Sequence, residues 1–217
     1  MNIKDFKKIG FDLDGTLIDS LDGIYCSYES SAKNLNLEIF PKNIIKKNIG
    51  PPIDIFFAKL YPDYQFLKNQ YSILFREHYL CDGYKKTKLK DNTYFLLDLL
   101  FKNSHELFIL TNKSSQASNL ILKFLKIENF FQEVFTVSSD SEKLKNKSLY
   151  LKKIFKNQSN GIYVGDTMED FNASKDAKIK FIGLKDGFGD FNNEAMKTGY
   201  IYESIQEIIK KENLAMS

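Results

Sequence analysis

Three short strings place acids, a hydroxyl and an ammonium in an order that suits phosphoryl chemistry. They are Asp12-Leu13-Asp14-Gly15-Thr16, Thr111-Asn112-Lys113 and Gly165-Asp166-Thr167-Met168-Glu169-Asp170. Each comes after a short apolar run that reads as a strand, and in open α/β sheets ligands bind beyond the carboxyl ends of the strands. The strings are therefore expected to converge on one crevice. Their carboxylates would repel one another and raise one another's pKa, a conflict that a hard divalent cation with oxygen ligands, most plausibly Mg²⁺, removes. Asp12, nearest its strand end, is then the candidate nucleophile on phosphorus, and Asp14 the candidate acid and base. Gly15 lets the backbone turn sharply there. Thr111, Asn112, a lysine and the metal supply the donors and positive charge that a phosphoryl group requires. An EF-hand calcium loop does not fit, because Gly15 stands fourth from Asp12 rather than sixth and no Glu stands twelfth. Each string alone also reads as turn or helix-cap chemistry; the three in order, each behind a strand, make the case.

The elements that must position these residues are legible as an alternation. Short apolar runs at 9–13, 105–110, 134–137, 161–164 and 180–184 read as strands, with 200–202 at an edge. Between them, 92–102, 115–125 and 148–155 carry apolar residues at helical spacing. Such alternation predicts an α/β fold with a Rossmann-like parallel sheet. The stretch 17–87 is the exception, with no convincing strand and helical patterns at 20–35, 41–48, 53–60 and 63–80. Its breaks fall at Phe40-Pro41, Gly50-Pro51-Pro52 and Tyr61-Pro62, as prolines at helix starts and turns should. An α-helical cap domain over 17–87, inserted into a core of 1–16 and 88–217, is the expected organisation.

Composition narrows the function further. The 217 residues include 31 Lys+Arg against 28 Asp+Glu, a net charge of +3 with both signs mixed along the chain. That pattern lacks the clustered basic face of a nucleic-acid binder. Arg76, in the predicted cap, is the single arginine, so bidentate guanidinium recognition can occur at one place at most. Two cysteines, Cys26 and Cys81, make no disulfide framework and are expected to be packed in cap helices. His78 and His105 stand apart from other ligand-type residues, and the Lys-rich runs 85–90 and 143–147 read as solvated surface. No apolar stretch reaches a membrane-spanning length, and Asp12 and Asp14 interrupt the start of the chain before a signal sequence forms. A soluble, cytoplasmic protein is expected.

The strings FDLDGTLIDS (11–20), LTNK (110–113) and VGDTMED (164–170) resemble the first, second and fourth motifs of the haloacid dehalogenase superfamily, and the resemblance covers nearly the whole chain. NIGPPIDIFF (48–57) is similar to the cap segment of its phosphoglycolate-phosphatase-type members, and LKDGFGDFNN (184–193) to the loop after their fifth strand. The resemblance implies Asp12 as nucleophile, Asp14 as acid/base, Thr111 as phosphate ligand and Mg²⁺ held by Asp12, the carbonyl of Asp14 and Asp166. Asp170 would support that set from behind or through water. The family's third motif usually reads Lys-Pro-x-Pro, whereas this chain has EKLKNKSLYLKKIF (142–155), where Lys147, Lys145 and Lys143 compete, Lys147 first. Asn112, Lys113 and Gly15 are candidates for the phosphate end of the substrate; Gly50, Pro51 and Arg76 are candidates in the cap.

The leading expectation is a Mg²⁺-dependent phosphatase of a small phosphorylated metabolite, with 2-phosphoglycolate first and nucleoside 5′-monophosphates or pyrophosphate behind it. A phosphosugar mutase of the β-phosphoglucomutase type and a phospho-acceptor signalling domain are the alternatives. Neither a nucleic acid nor a membrane is an expected partner, and oligomeric state is not readable.

Overall fold

The computed structural model describes residues 2–137, 146–156 and 160–211. In chain order its strands are β1 (Lys8–Phe11), β2 (Ile18–Asp19), β3 (Lys88–Leu89), β4 (Glu106–Thr111), β5 (Glu133–Thr136), β6 (Gly161–Gly165), β7 (Lys180–Leu184) and β8 (Tyr200–Tyr202). Six of them form one parallel sheet in the order β5-β4-β1-β6-β7-β8. The switch of direction falls at β1, the position at which doubly wound sheets open a crevice. There Phe11 lies between Ile109 of β4 and Val164 of β6.

Both faces of the sheet are covered, which is why the strands read as continuous apolar runs rather than alternating ones. Strand alternation still decides which residue goes to which face. Ile9, Phe11, Leu107, Ile109, Ile162 and Val164 pack on one side with Leu96, Leu100, Ile121 and Ile208. Phe108, Leu110 and Tyr163 point to the other, against Tyr150, Leu151, Phe155 and Phe171. Gly10 belongs to that second face, where a Cβ would lie 2.3 Å from the Phe108 ring and 2.9 Å from Tyr163. It leaves room for two rings to cross the sheet centre.

The helices are α1 (Leu21–Asn34), α2 (Lys42–Lys46), α3 (Ile53–Leu60), α4 (Lys68–Cys81), α5 (Thr93–Lys102), α6 (Ser115–Phe124), α7 (Lys147–Ile154), α8 (Met168–Asp176), α9 (Asn193–Thr198) and α10 (Ile205–Lys211). The helices α1 to α4 occupy the stretch between β2 and β3. Within it α1 packs on α4, and Tyr28, Phe56, Phe57, Tyr61 and Tyr71 share an aromatic cluster with ring centroids 4.6–6.4 Å apart. The Tyr28 and Tyr61 hydroxyls lie 2.9 Å apart, and Tyr61 donates to the Glu38 carbonyl at 2.5 Å, which satisfies those two hydroxyls.

Several expected boundaries move. The stretch read as free of strands contains β2, which pairs antiparallel with β3 through Ile18 with Leu89 and Asp19 with Lys88. Two residues are too few for a periodic signal. The helix expected over 63–80 begins as a 3-10 turn, Pro62–Leu67, with a kink at Tyr64, and becomes α-helical at Lys68. The first strand ends at Phe11 rather than 13, so Asp12 is the first residue beyond it, while Thr111 and Gly165 are the last residues of their own strands. Cys81 is exposed at the end of α4 instead of packed, and Cys26 is half-buried.

Candidate active site

The crevice is built from the ends of β1, β4 and β6. Asp12 continues the β1 ladder by one bond, donating its N–H to the Val164 carbonyl at 2.8 Å, and is buried. The chain then coils tightly, the Leu13 carbonyl accepting from the N–H groups of Thr16, Leu17 and Ile18 at 3.0–3.3 Å. The coil depends on Gly15, which has φ +85°, where a Cβ would stand 2.2 Å from Asp166 Oδ2. Both the backbone conformation and the approach of a carboxylate exclude a side chain there. Thr16 Oγ1 donates to Asp166 Oδ1 at 2.9 Å, and the Phe188 N–H to Asp166 Oδ2 at 2.7 Å, so Asp166 is clamped from two loops.

Asp170 is fixed by the start of α8. Thr167 caps that helix and Asp170 returns the bond in a capping box, its Oδ2 accepting from the Thr167 N–H at 3.1 Å and also from Thr167 Oγ1 at 2.6 Å. That leaves its Oδ1 for Lys147, the first residue of α7, whose Nζ donates to Asp170 at 2.7 Å and to Asp12 Oδ1 at 2.8 Å. Lys147 is buried. Of the three competing lysines, Lys143 and Lys145 lie outside the described residues.

Asp12, Asp166 and Asp170 bring carboxylate oxygens within 4.8 Å of one another. Burial holds the Asp12 carboxyl well above its ordinary range against the pull of the Lys147 ammonium, with the Asp170 and Asp166 charges adding to the rise. Burial and the Asp170 charge push Asp166 up to about 6, against the donors Phe188 and Thr16. For Lys147 burial opposes the charge, but Asp12 and Asp170 outweigh it and raise the ammonium's pKa. Among the described residues, three carboxylates against one ammonium leave two formal negative charges in a buried, all-oxygen donor set. That composition fits a hard divalent cation.

Asp14 faces the other way, into the crevice mouth, where it accepts from the Ser20 hydroxyl and pairs with Lys113 at 3.1 Å. Lys113 also donates to the Tyr79 hydroxyl of α4 at 3.0 Å. Burial disfavours the Lys113 ammonium, yet Asp14 and Tyr79 together keep its pKa above the ordinary value. Thr111 lines the crevice floor next to the start of α6. Asn112 lines the same cavity. Its Nδ2 donates to both Glu169 oxygens at 2.9 and 3.1 Å and to the Gly50 carbonyl at 2.9 Å, tying the crevice rim to the loop before α3. Gly50, Pro51 and the exposed Arg76 line the cavity from the α1–α4 side. His78 and His105 stay outside: His105 meets the Phe6 carbonyl and His78 meets Asn34.

One residue was hidden in the run 85–90 read as solvated. Lys90 is half-buried, and its Nζ donates to the Gly15 carbonyl at 2.6 Å and to Asp186 at 2.5 Å, bracing the coil that carries Asp14. Lys90→Met keeps the stem and removes the ammonium. It is expected to cost about 1–3 kcal/mol of stability by leaving those acceptors unpaired. It should also lower kcat by up to about 100-fold through displacement of the coil, to be read from thermal melts and steady-state hydrolysis of p-nitrophenyl phosphate.

The geometry agrees with what the chain resembles. Residues 9–184 match the model of the haloacid dehalogenase-like hydrolase family. A phosphoglycolate phosphatase of Aquifex aeolicus is 30% identical over 173 residues, covering 78% of this chain and 80% of that protein. The pyrophosphatase PpaX of Oceanobacillus iheyensis is 26% identical over 94% of this chain and 95% of its own length. A haloacid dehalogenase-like family hydrolase from Streptococcus pneumoniae superposes with a TM-score of 0.84 over 96% of this chain and 99% of that one, at 24% identity, and so shares the fold. The chain belongs to the haloacid dehalogenase-like hydrolases. Within that family it is a phosphatase.

Proposed function

We propose that this protein is a Mg²⁺-dependent phosphatase that hydrolyses small phosphate monoesters through an aspartyl-phosphate on Asp12. The observation that carries this reading is the buried set of Asp12, Asp166 and Asp170, countered by Lys147, of which Asp12 lines a cavity that Asp14 also lines. An Asp12 carboxylate oxygen forms a bond to phosphorus as the bond from phosphorus to the alcohol oxygen breaks, and Asp14 gives that oxygen its proton. Asp14 then takes a proton from water, whose oxygen attacks the phosphorus on Asp12 and releases inorganic phosphate. Thr111 and the positive end of α6 face the phosphoryl oxygens, and the Lys147 ammonium favours the anionic form of Asp12 against its burial. Mg²⁺, held by Asp12, Asp166 and the Asp14 carbonyl with Asp170 behind, would supply positive charge for the phosphoryl group.

Residues 17–87 would act as the cap, with Gly50, Pro51 and Arg76 on its inner wall. For 2-phosphoglycolate the phosphoryl end fits this floor, and its carboxylate would have Arg76 as partner. Steady release of phosphate from p-nitrophenyl phosphate in Mg²⁺, abolished by a chelator, is the expected result. Release of a single equivalent per protein would point instead to a phospho-acceptor domain.

The raised carboxyls give the cation a pH signature. Between the ordinary carboxylate value and about 6 the metal-free folded protein binds more protons than the unfolded chain, so its stability falls as pH rises through that window. A cation relieves the repulsion and competes with those protons. The melting temperature should therefore rise with Mg²⁺ by roughly 5–10 °C at a hundredfold excess over Kd, more at pH 7.5 than at pH 5. An equal shift at both values would remove the buried acids as its ligands.

A further inference from the structure

The cavity over Asp12 and Asp14 measures about 620 Å³, the size of pockets that enclose a whole drug-sized ligand. A glycolate leaving group would fill a small part of it. The wall contributed by the α1–α4 side is largely apolar, made by Ile24, Ile49, Ile53, Phe56, Phe75 and Leu80. Phe75 is the half-buried middle rung of an aromatic ladder on α4. Tyr71 and Tyr79, both buried, stack on it with centroids 6.2 and 5.9 Å away and planes tilted by 28° and 10°. Since Tyr79 reaches Lys113 and Lys113 reaches Asp14, the ladder runs from the proposed acid/base up the cavity wall.

The charges in the cavity do not favour a second anionic group on the substrate. Lys113 is already paired with Asp14, and Asp54 adds a carboxylate held by the Ser72 hydroxyl at 2.5 Å. Arg76 is the remaining cation lining the cavity among the described residues, and it is exposed. A carboxylate or second phosphate would leave water for a site with more acids than free cations, whereas an apolar ring would meet aliphatic and aromatic surface.

We infer that the preferred substrate is a phosphate monoester whose alcohol carries a flat, apolar ring, seated against Phe75 beside Ile53 and Leu80. This rests on the reading of Asp12 as the reacting carboxylate. The test compares kcat/KM for 2-phenylethyl phosphate, ethyl phosphate and 2-phosphoglycolate with the Mg²⁺-loaded protein. The first two share a primary alkoxide leaving group and differ in the ring. 2-Phenylethyl phosphate should exceed both others by at least about tenfold, chiefly through KM. Phe75→Ala should bring the phenylethyl-to-ethyl ratio to near one, and Ile53→Ala, on a different helix, should lower it several-fold. Equal constants for the two alkyl esters, or a preference for 2-phosphoglycolate, overturns the inference while leaving the phosphatase reading in place. No phosphate from any of the three, nor from p-nitrophenyl phosphate, overturns both.

Discussion

Asp12→Asn should lower phosphate release from p-nitrophenyl phosphate in Mg²⁺ by at least about four orders of magnitude, because the amide oxygen cannot serve as the nucleophile that divides the reaction into two steps. The fold should survive. Asparagine has the same shape, its Oδ1 can still accept from Lys147, and the change removes one of three crowded acids. A circular dichroism melt at or above that of the parent protein, with activity lost, is the expected pair of results. Retained turnover would show that another group attacks phosphorus and would end the aspartyl-phosphate mechanism.

Lys147→Ala attacks the same set from the opposite side and should damage both rate and stability. The parent ammonium lies within 2.8 Å of two buried carboxylates, and breaking such an arrangement by removing one partner typically costs about 3–5 kcal/mol. The acids would then take up protons, Asp12 would lose its anionic form, and kcat should fall by about 10² to 10³, the cost of removing one charge-stabilising donor from a preorganised site. Lys145→Ala should stay within a few-fold of the parent in the same assay. A larger loss for Lys145 than for Lys147 would transfer the role.

How much of the site could be read in advance depended on where each signal resides. The strands bearing Asp12, Thr111 and Asp166 were legible because strands buried on both faces give unbroken apolar runs, and acids at their ends interrupt those runs visibly. Lys147 was legible as a candidate from its place at the start of a helical pattern. Lys90 was not, since nothing in a run of lysines tells which one turns inward; only its bonds to Gly15 and Asp186 do. Tyr79 and Glu169 had no local mark either, because their partners Lys113 and Asn112 lie 34 and 57 positions away. The sequence marks Asn112 through its neighbours but gives no sign of the bonds its amide makes to Gly50 and Glu169. The helix α8 leaves little periodic signal because its buried stripe is thin, with Phe171 its one large apolar member.

The pairing of β2 with β3 has a consequence for how such a molecule can diversify. Asp19 and Lys88 stand side by side, so the chain leaves the sheet layer and returns to it through a single doorway. The acids and Lys147 come from sequence outside that doorway, and the aromatic ladder and its aliphatic neighbours largely from sequence inside it. Substitutions between positions 21 and 86 can therefore revise which alcohol is admitted without disturbing the register of β1 against β4 and β6. On the proposed function, chemistry and selectivity would sit on separate stretches of chain, each open to change while the other is kept.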